Sequence, residues 1–173
     1  MRRNDITMRR NDLDLSLAAP NDLKEVMQLL RGNIGTPGCT WNDEYPTEEF
    51  IEDDINAQSL YVLTDNGRIA AVCALLEVEE FDRLPWNVTN ACDLARFGVR
   101  KDLHRKGIGK ILLAKMIETA KAKYGGIRLL VAKTNQAALG LYEGFGFTRC
   151  GEAYLYDVDW WLYELGFSLN DAQ

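Results

Sequence analysis

The chain has 173 residues, 47% of them hydrophobic and 27% charged, which suits one globular domain with a sizeable core. Its formal net charge of -6 argues against a general nucleic-acid or anionic-membrane binder and makes a cationic substrate easier to attract than an anionic one. Cys39, Cys73, Cys92 and Cys150 lie far apart with no Cys-x-x-Cys pair, and the single His104 leaves too few soft ligands for a zinc site, so free buried thiols and no metal are expected.

Met1-Arg-Arg-Asn-Asp5 returns as Met8-Arg-Arg-Asn-Asp12, too short a duplication to be a structural repeat. Residues 1–12 are therefore expected to form a disordered extension, with Met8 as an alternative start. No apolar secretory core opens the chain, and no later stretch approaches the roughly 20 apolar residues that cross a bilayer, so a cytoplasmic location is expected. One domain is expected over 13–168, followed by a fraying tail over 169–173.

Leu13, Leu15 and Leu17 alternate with polar residues as in a half-buried strand. Pro20-Asn-Asp opens a helix carrying Leu23, Val26, Met27 and Leu30. Arg31 to Pro46, rich in Gly and Pro around Trp41 and Tyr45, reads as a loop. A second helix is predicted over Glu48 to Asn56 after Thr47, with Glu48, Glu49, Glu52, Asp53 and Asp54 as a solvated acidic face. Ser59 to Thr64 and Ile69 to Leu76 read as strands paired through an Asn66-Gly67 turn. Glu77 to Thr89 is expected to be a loop or an irregular strand extension, and Ala91 to Val99 a strand.

After Val99 the chain turns basic and then helical through His104-Arg-Lys-Gly-Ile-Gly-Lys110. A helix start offers unpaired N–H groups and the positive end of the macrodipole. Gly107 and Gly109 would let phosphate oxygens approach the main chain, and Arg105, Lys106 and Lys110 add mobile charge. The same pattern also fits a plain helix start with a solvated basic face. Ile108, Leu112, Met116 and Ala120 then give the helix an apolar face to lay on a sheet. Ile127 to Val131 follows as a strand, and Asn135 can cap a short helix that ends at Gly144 and Gly146. A last strand should include Trp160 to Leu165.

The order His104-Arg-Lys-Gly-Ile-Gly109 resembles the acyl-coenzyme A signature of the GNAT N-acetyltransferases, with His104 where the family usually has Gln or Arg. Arg96-Phe-Gly-Val99 is similar to the family's fourth strand, and Asn135 with Leu141-Tyr-Glu-Gly-Phe-Gly-Phe147 to its last conserved region. The resemblance implies an α+β fold, an α/β/α sandwich around a mixed, mostly antiparallel sheet of about seven strands, with splayed fourth and fifth strands and about four flanking helices. It implies acetyl-CoA as cosubstrate, bound by Phe97, Gly98, Val99, His104, Arg105, Lys106, Gly107, Ile108, Gly109, Lys110 and Asn135.

It further implies direct acetyl transfer to an amine, with Tyr142 as general acid toward the coenzyme sulfur. It places Trp41 and Tyr45 at one wall of the acceptor site, while as aromatics in a loop they equally suit anchoring that loop. Family members often carry a glutamate immediately before the apolar triplet of the fourth strand, where this chain has Arg96. Asp93, with Glu79 and Glu80, is left as a candidate base by location only, each fitting a structural or solvent-facing role as well, beside a water chain. The acceptor is expected to be small and cationic, and the aromatic carboxyl end, with Trp160, Trp161 and Tyr163, could pair subunits in a homodimer or equally cover the chain's own core. A non-catalytic acyl-coenzyme A sensor and an enzyme acting on a macromolecule stand as alternatives.

Overall fold

The computed structural model describes residues 13–168, so the extension over 1–12 and the tail over 169–173 lie outside the described residues. Alternation in β1 (Leu13–Leu17) gives it one inward row that begins at buried Leu13. In α1 (Leu23–Gly32), Val26, Met27, Leu29 and Leu30 recur at helical spacing and are buried together. Thr47 caps α2 (Glu48–Asn56) by accepting from the Phe50 amide. Asp54 departs from the predicted solvated face: it stands three residues after Ile51 and one before Ile55, so the helical period turns it inward, and it is 8% exposed.

Strands β2 (Leu60–Asp65) and β3 (Arg68–Leu76) join through Asn66 and Gly67. Both turn residues have positive φ, 48° and 79°, as a two-residue type I′ hairpin requires. Next come β4 (Ala91–Val99), α3 (Ile108–Lys121), β5 (Gly126–Ala132), α4 (Gln136–Gly144), β6 (Thr148–Leu155) and β7 (Val158–Gly166). Tyr156 and Asp157 form the β6–β7 turn with φ of 56° and 59°, a turn made without the glycine that sequence reading looks for.

The seven strands form one sheet in the order β1-β2-β3-β4-β5-β7-β6. Only β4 and β5 pair in parallel; every other neighbour is antiparallel. Helices α1 and α2 pack on one face over Leu60, Val62, Ile69 and Val72. The other face carries α3 and the inward side of α4 over Cys73, Leu94, Ile127 and Leu129. All four cysteines are free thiols, and burial pushes Cys92 up to about 12, so it is inert at neutral pH. No helix among the described residues is long and apolar enough to cross a membrane.

The parallel pairing decides where a site can form. It covers Ala91 to Asp93 against Gly126 to Arg128, and no further. Beyond that fork β5 continues to Ala132 along β7 while β4 continues to Val99 along β3. The two strands therefore leave a gap in the middle of the sheet.

The β3–β4 connection is pinned rather than loose. Glu79 to Arg83 forms a 3₁₀ turn, and buried Glu164 of β7 accepts from the Asn87 amide at 2.8 Å, the Asn87 side chain at 2.7 Å and the Val88 amide at 3.2 Å. Burial by itself would raise the Glu164 carboxyl, but these donors outweigh it and hold its pKa below the ordinary value. Glu164→Gln is expected to cost about 1–3 kcal/mol at neutral pH. Because the folded pKa is depressed, the gap from native should be full above the ordinary value of 4.5 and close as pH falls below it. Urea melts of both proteins across that range measure it.

Candidate active site

At the open end of the gap, β4 carries a bulge: Ala95 pairs with Ala74 and Gly98 with Val72, so Arg96 and Phe97 stand opposite Cys73 alone. Arg96 takes the left-handed conformation, φ 53°, which costs a non-glycine residue about 1–2 kcal/mol. The Arg100 amide donates to the Ala70 carbonyl at 2.8 Å. The alternation of an antiparallel ladder then turns the Val99 N–H away from β3 and toward the gap. The Val99 carbonyl is already engaged, accepting from Asn33 Nδ2 at 3.0 Å and bonded to His104 Nε2 at 2.9 Å. His104 thus braces the end of β4, and what Val99 leaves open is its N–H.

Gly107, φ 81°, is the residue before the first turn of α3, and glycine is the residue suited to that conformation. Among the described residues, the amides of Arg105 through Lys110 have no hydrogen-bond acceptor; the first bonded amide is Ile111, to the Gly107 carbonyl at 3.3 Å. A Cβ at Gly107 would meet nothing within 4 Å, whereas one at Gly109 would meet the side chains of Leu141, Phe97 and Val99 at 3.7–3.8 Å. Ile108 is buried and anchors the turn, while Arg105, Lys106 and Lys110 are exposed around it. A row of open N–H groups, space above them and three cations fit a pyrophosphate.

Tyr142, 6% exposed, lies across the gap on α4, its ring 6.1 Å from Phe97 and 5.6 Å from Phe147. Its hydroxyl has no hydrogen-bond partner among the described residues, and burial pushes its pKa above the ordinary phenol value, so it is a neutral donor. Asn135 caps α4, its Oδ1 accepting from Ala138 N at 3.2 Å, which leaves its Nδ2 as a donor.

On the opposite face, the α1–α2 loop crosses the gap. A Cβ on Gly98 would lie 2.9 Å from the Trp41 ring, and one on Gly38 would lie 2.6 Å from Asn135 Cα. Tyr45 stands farther along the loop, 39% exposed, with its ring edge toward Phe50 at 5.6 Å. The rim is completed by Tyr156, whose hydroxyl donates to Glu80 at 2.7 Å and is pushed up to about 12, first by that carboxylate and then by burial. Nothing in the sequence placed Tyr156 beside Glu80, because their contact joins the β6–β7 turn to the β3–β4 connection.

Asp93, a candidate base by location, sits inside the sheet. It is 2% exposed, and its carboxylate accepts from Arg128 Nε at 2.6 Å, Arg128 Nη2 at 3.2 Å and the Val78 amide at 2.8 Å. Asp93 and Arg128 are the last paired residues before β4 and β5 part. The ion pair staples the fork, and a carboxylate so occupied and sealed is unsuited to taking a proton from a substrate. Sequence reading missed Arg128 because a lone arginine in an apolar strand has no visible partner until the strands are paired.

The matches to known proteins agree with this geometry. Residues 24–147 match the model of the acetyltransferase (GNAT) family. A UPF0039 protein of Schizosaccharomyces pombe is 27% identical over 138 residues, 79% of this chain and 83% of that protein. A GNAT-family acetyltransferase from Streptococcus agalactiae superposes with a TM-score of 0.78 at 22% identity, covering 90% of this chain and 96% of that one. The ribosomal-protein-S18-alanine N-acetyltransferase of Escherichia coli gives 0.72 at 22% identity over 91% and 95%. The putative acetyltransferase yncA of Salmonella typhimurium, solved with its cofactor acetyl-CoA, gives 0.71 at 15% identity over 90% and 94%. With the family model spanning most of the domain and the fold shared throughout, the chain belongs to the GNAT acetyltransferase family.

Proposed function

We propose that the protein transfers an acetyl group from acetyl-CoA to a primary amine of a small cationic acceptor by direct attack within a ternary complex. The observation that carries this reading is the row of open amides from Arg105 to Lys110 at the mouth of the β4–β5 gap. These amides, with Arg105, Lys106 and Lys110, would hold the pyrophosphate, and Asn135 Nδ2 would hold the arm that follows. Gly98 lets Trp41 sit close to β4, and Phe97 supports the start of α3 from below.

When bound, acetyl-CoA supplies the activated acetyl carbon as a thioester. As negative charge grows on the acetyl oxygen, the fixed Val99 N–H is suited to stabilise it, an effect of a few kcal/mol for preorganised donors. Tyr142 donates toward the departing sulfur. Proton loss from the attacking ammonium runs through water at the exposed rim, where Glu80 stands, since Asp93 is committed to Arg128.

Charge supports a cationic acceptor. Between Asn33 and Gly67 the chain has no Lys or Arg but has eight acids, including Asp43, Glu44, Glu48 and Glu49. Thiol release from acetyl-CoA should therefore rise with cationic primary amines such as diamines more than with amines whose other end is a carboxylate. The same rate with both sets would remove charge from acceptor choice, and tight acetyl-CoA binding without release by any amine would favour a sensor.

A further inference from the structure

At the bulge, Arg96 does something the reaction chemistry does not require. Its side chain, 10% exposed, turns away from the gap and donates from Nε to Oδ2 of the buried Asp54 at 3.0 Å. A second guanidinium nitrogen hydrogen-bonds the Tyr45 hydroxyl. The guanidinium carbon stands 5.3 Å from the Tyr45 ring centre and 5.8 Å from that of Phe50, within cation–π range. One side chain thus joins three elements: the β4 bulge, the inner face of α2 and the end of the α1–α2 loop. Lysine, a point charge without a fork, would not hold both partners.

That same loop bridges the gap, touching β4 where Trp41 meets Gly98 and the start of α4 where Gly38 meets Asn135. The gap is where a thioester would lie if the proposed function holds. A thioester exposed to water is hydrolysed: the water oxygen bonds to the acetyl carbon, the carbon–sulfur bond breaks, and acetate and the free thiol result.

We infer that Arg96 is a positioning residue: held by Asp54, it pins the α1–α2 loop across the β4–β5 gap through Tyr45, and the pinned loop keeps water from the bound thioester. The water-excluding half rests on the acetyl-CoA reading; the pin itself does not.

Two measurements on the full chain separate these halves. Hydrogen exchange should show the Asn42, Glu44 and Tyr45 amides, which are bonded within the loop, losing protection several-fold in Arg96→Met and less in Tyr45→Phe. Acetyl-CoA alone, with no amine, should then release free thiol several-fold faster from Arg96→Met than from native protein. A merely structural loss would lower that rate by weakening binding. Unchanged loop exchange in both variants overturns the pin. Faster exchange with an unchanged or lower rate of thiol release overturns the water-excluding role. If Arg96→Met does not fold, Tyr45→Phe, altered only at an exposed ring, gives both readings. Failure of native protein to bind acetyl-CoA would refute the acetyl-CoA reading and the water-excluding role with it, while the exchange result still decides the pin.

Discussion

Arg128→Met is expected to lower the unfolding free energy by about 3–5 kcal/mol, the range for removing one partner of a buried ion pair. At this chain length each kcal/mol moves the melting temperature by roughly 2–4 °C, so the midpoint should fall by about 6–20 °C. The loss is large because of what stays behind: Asp93, 2% exposed, would keep only the Val78 amide as a partner. Arg128 also holds Asp82 at 2.7 Å and lies 5.6 Å from the Trp86 ring centre, so the wall over residues 77–90 should loosen with it. Replacing both members, Asp93→Leu with Arg128→Met, should recover much of the stability, since the uncompensated charge is gone. Thermal melts of the three proteins check this. A single variant melting within about 2 °C of native would show that the pair does not hold the fork.

Tyr142→Phe should leave acetyl-CoA affinity within about twofold and lower turnover by about 100-fold, near 2.7 kcal/mol of barrier. Affinity should hold because the ring contacts to Phe97 and Phe147 need no hydroxyl. The lower end of the general-acid range is expected because burial raises the phenol pKa and so weakens it as an acid, while a thiolate resembling cysteine's has a pKa of about 8.5 and is a modest base. In the proposed mechanism the hydroxyl therefore serves mainly as a hydrogen-bond donor to the sulfur as charge builds. Steady-state rates with a diamine acceptor, alongside direct binding of acetyl-CoA, separate the two effects. Turnover equal to native would remove Tyr142 from that role.

The fold was legible wherever local chemistry and tertiary need coincide. Thr47 caps α2, Asn66-Gly67 makes its hairpin and Asn135 caps α4 where their side chains predict. The open amides at the start of α3 were legible for the same reason, since a helix start leaves them unpaired. Buried charge was not. Asp93, Arg128 and Glu164 look like surface residues until the sheet order brings their partners within reach, from strands and turns 35 to 77 residues away. Asp54 is the instructive intermediate: its place between Ile51 and Ile55 signals an inward face, but the run of neighbouring acids hides it. Arg96 could be noticed as a departure from the family pattern, yet its partners emerge only from the left-handed bulge that turns it toward α2.

The most direct measurement is the melting temperature with and without acetyl-CoA, for native protein and for Gly107→Glu. The substitution places a carboxylate where nothing lies within 4 Å of the added Cβ, at φ 81°, so it should cost about 1–2 kcal/mol of backbone strain but leave the fold intact. Ligand at about one hundred times its dissociation constant adds roughly 2.7 kcal/mol, a rise of about 5–11 °C for native protein at this length. That rise should vanish in the folded variant, because the new carboxylate faces the pyrophosphate. No rise in well-folded native protein, or an equal rise in both, would contradict an acetyl-CoA cradle at the start of α3.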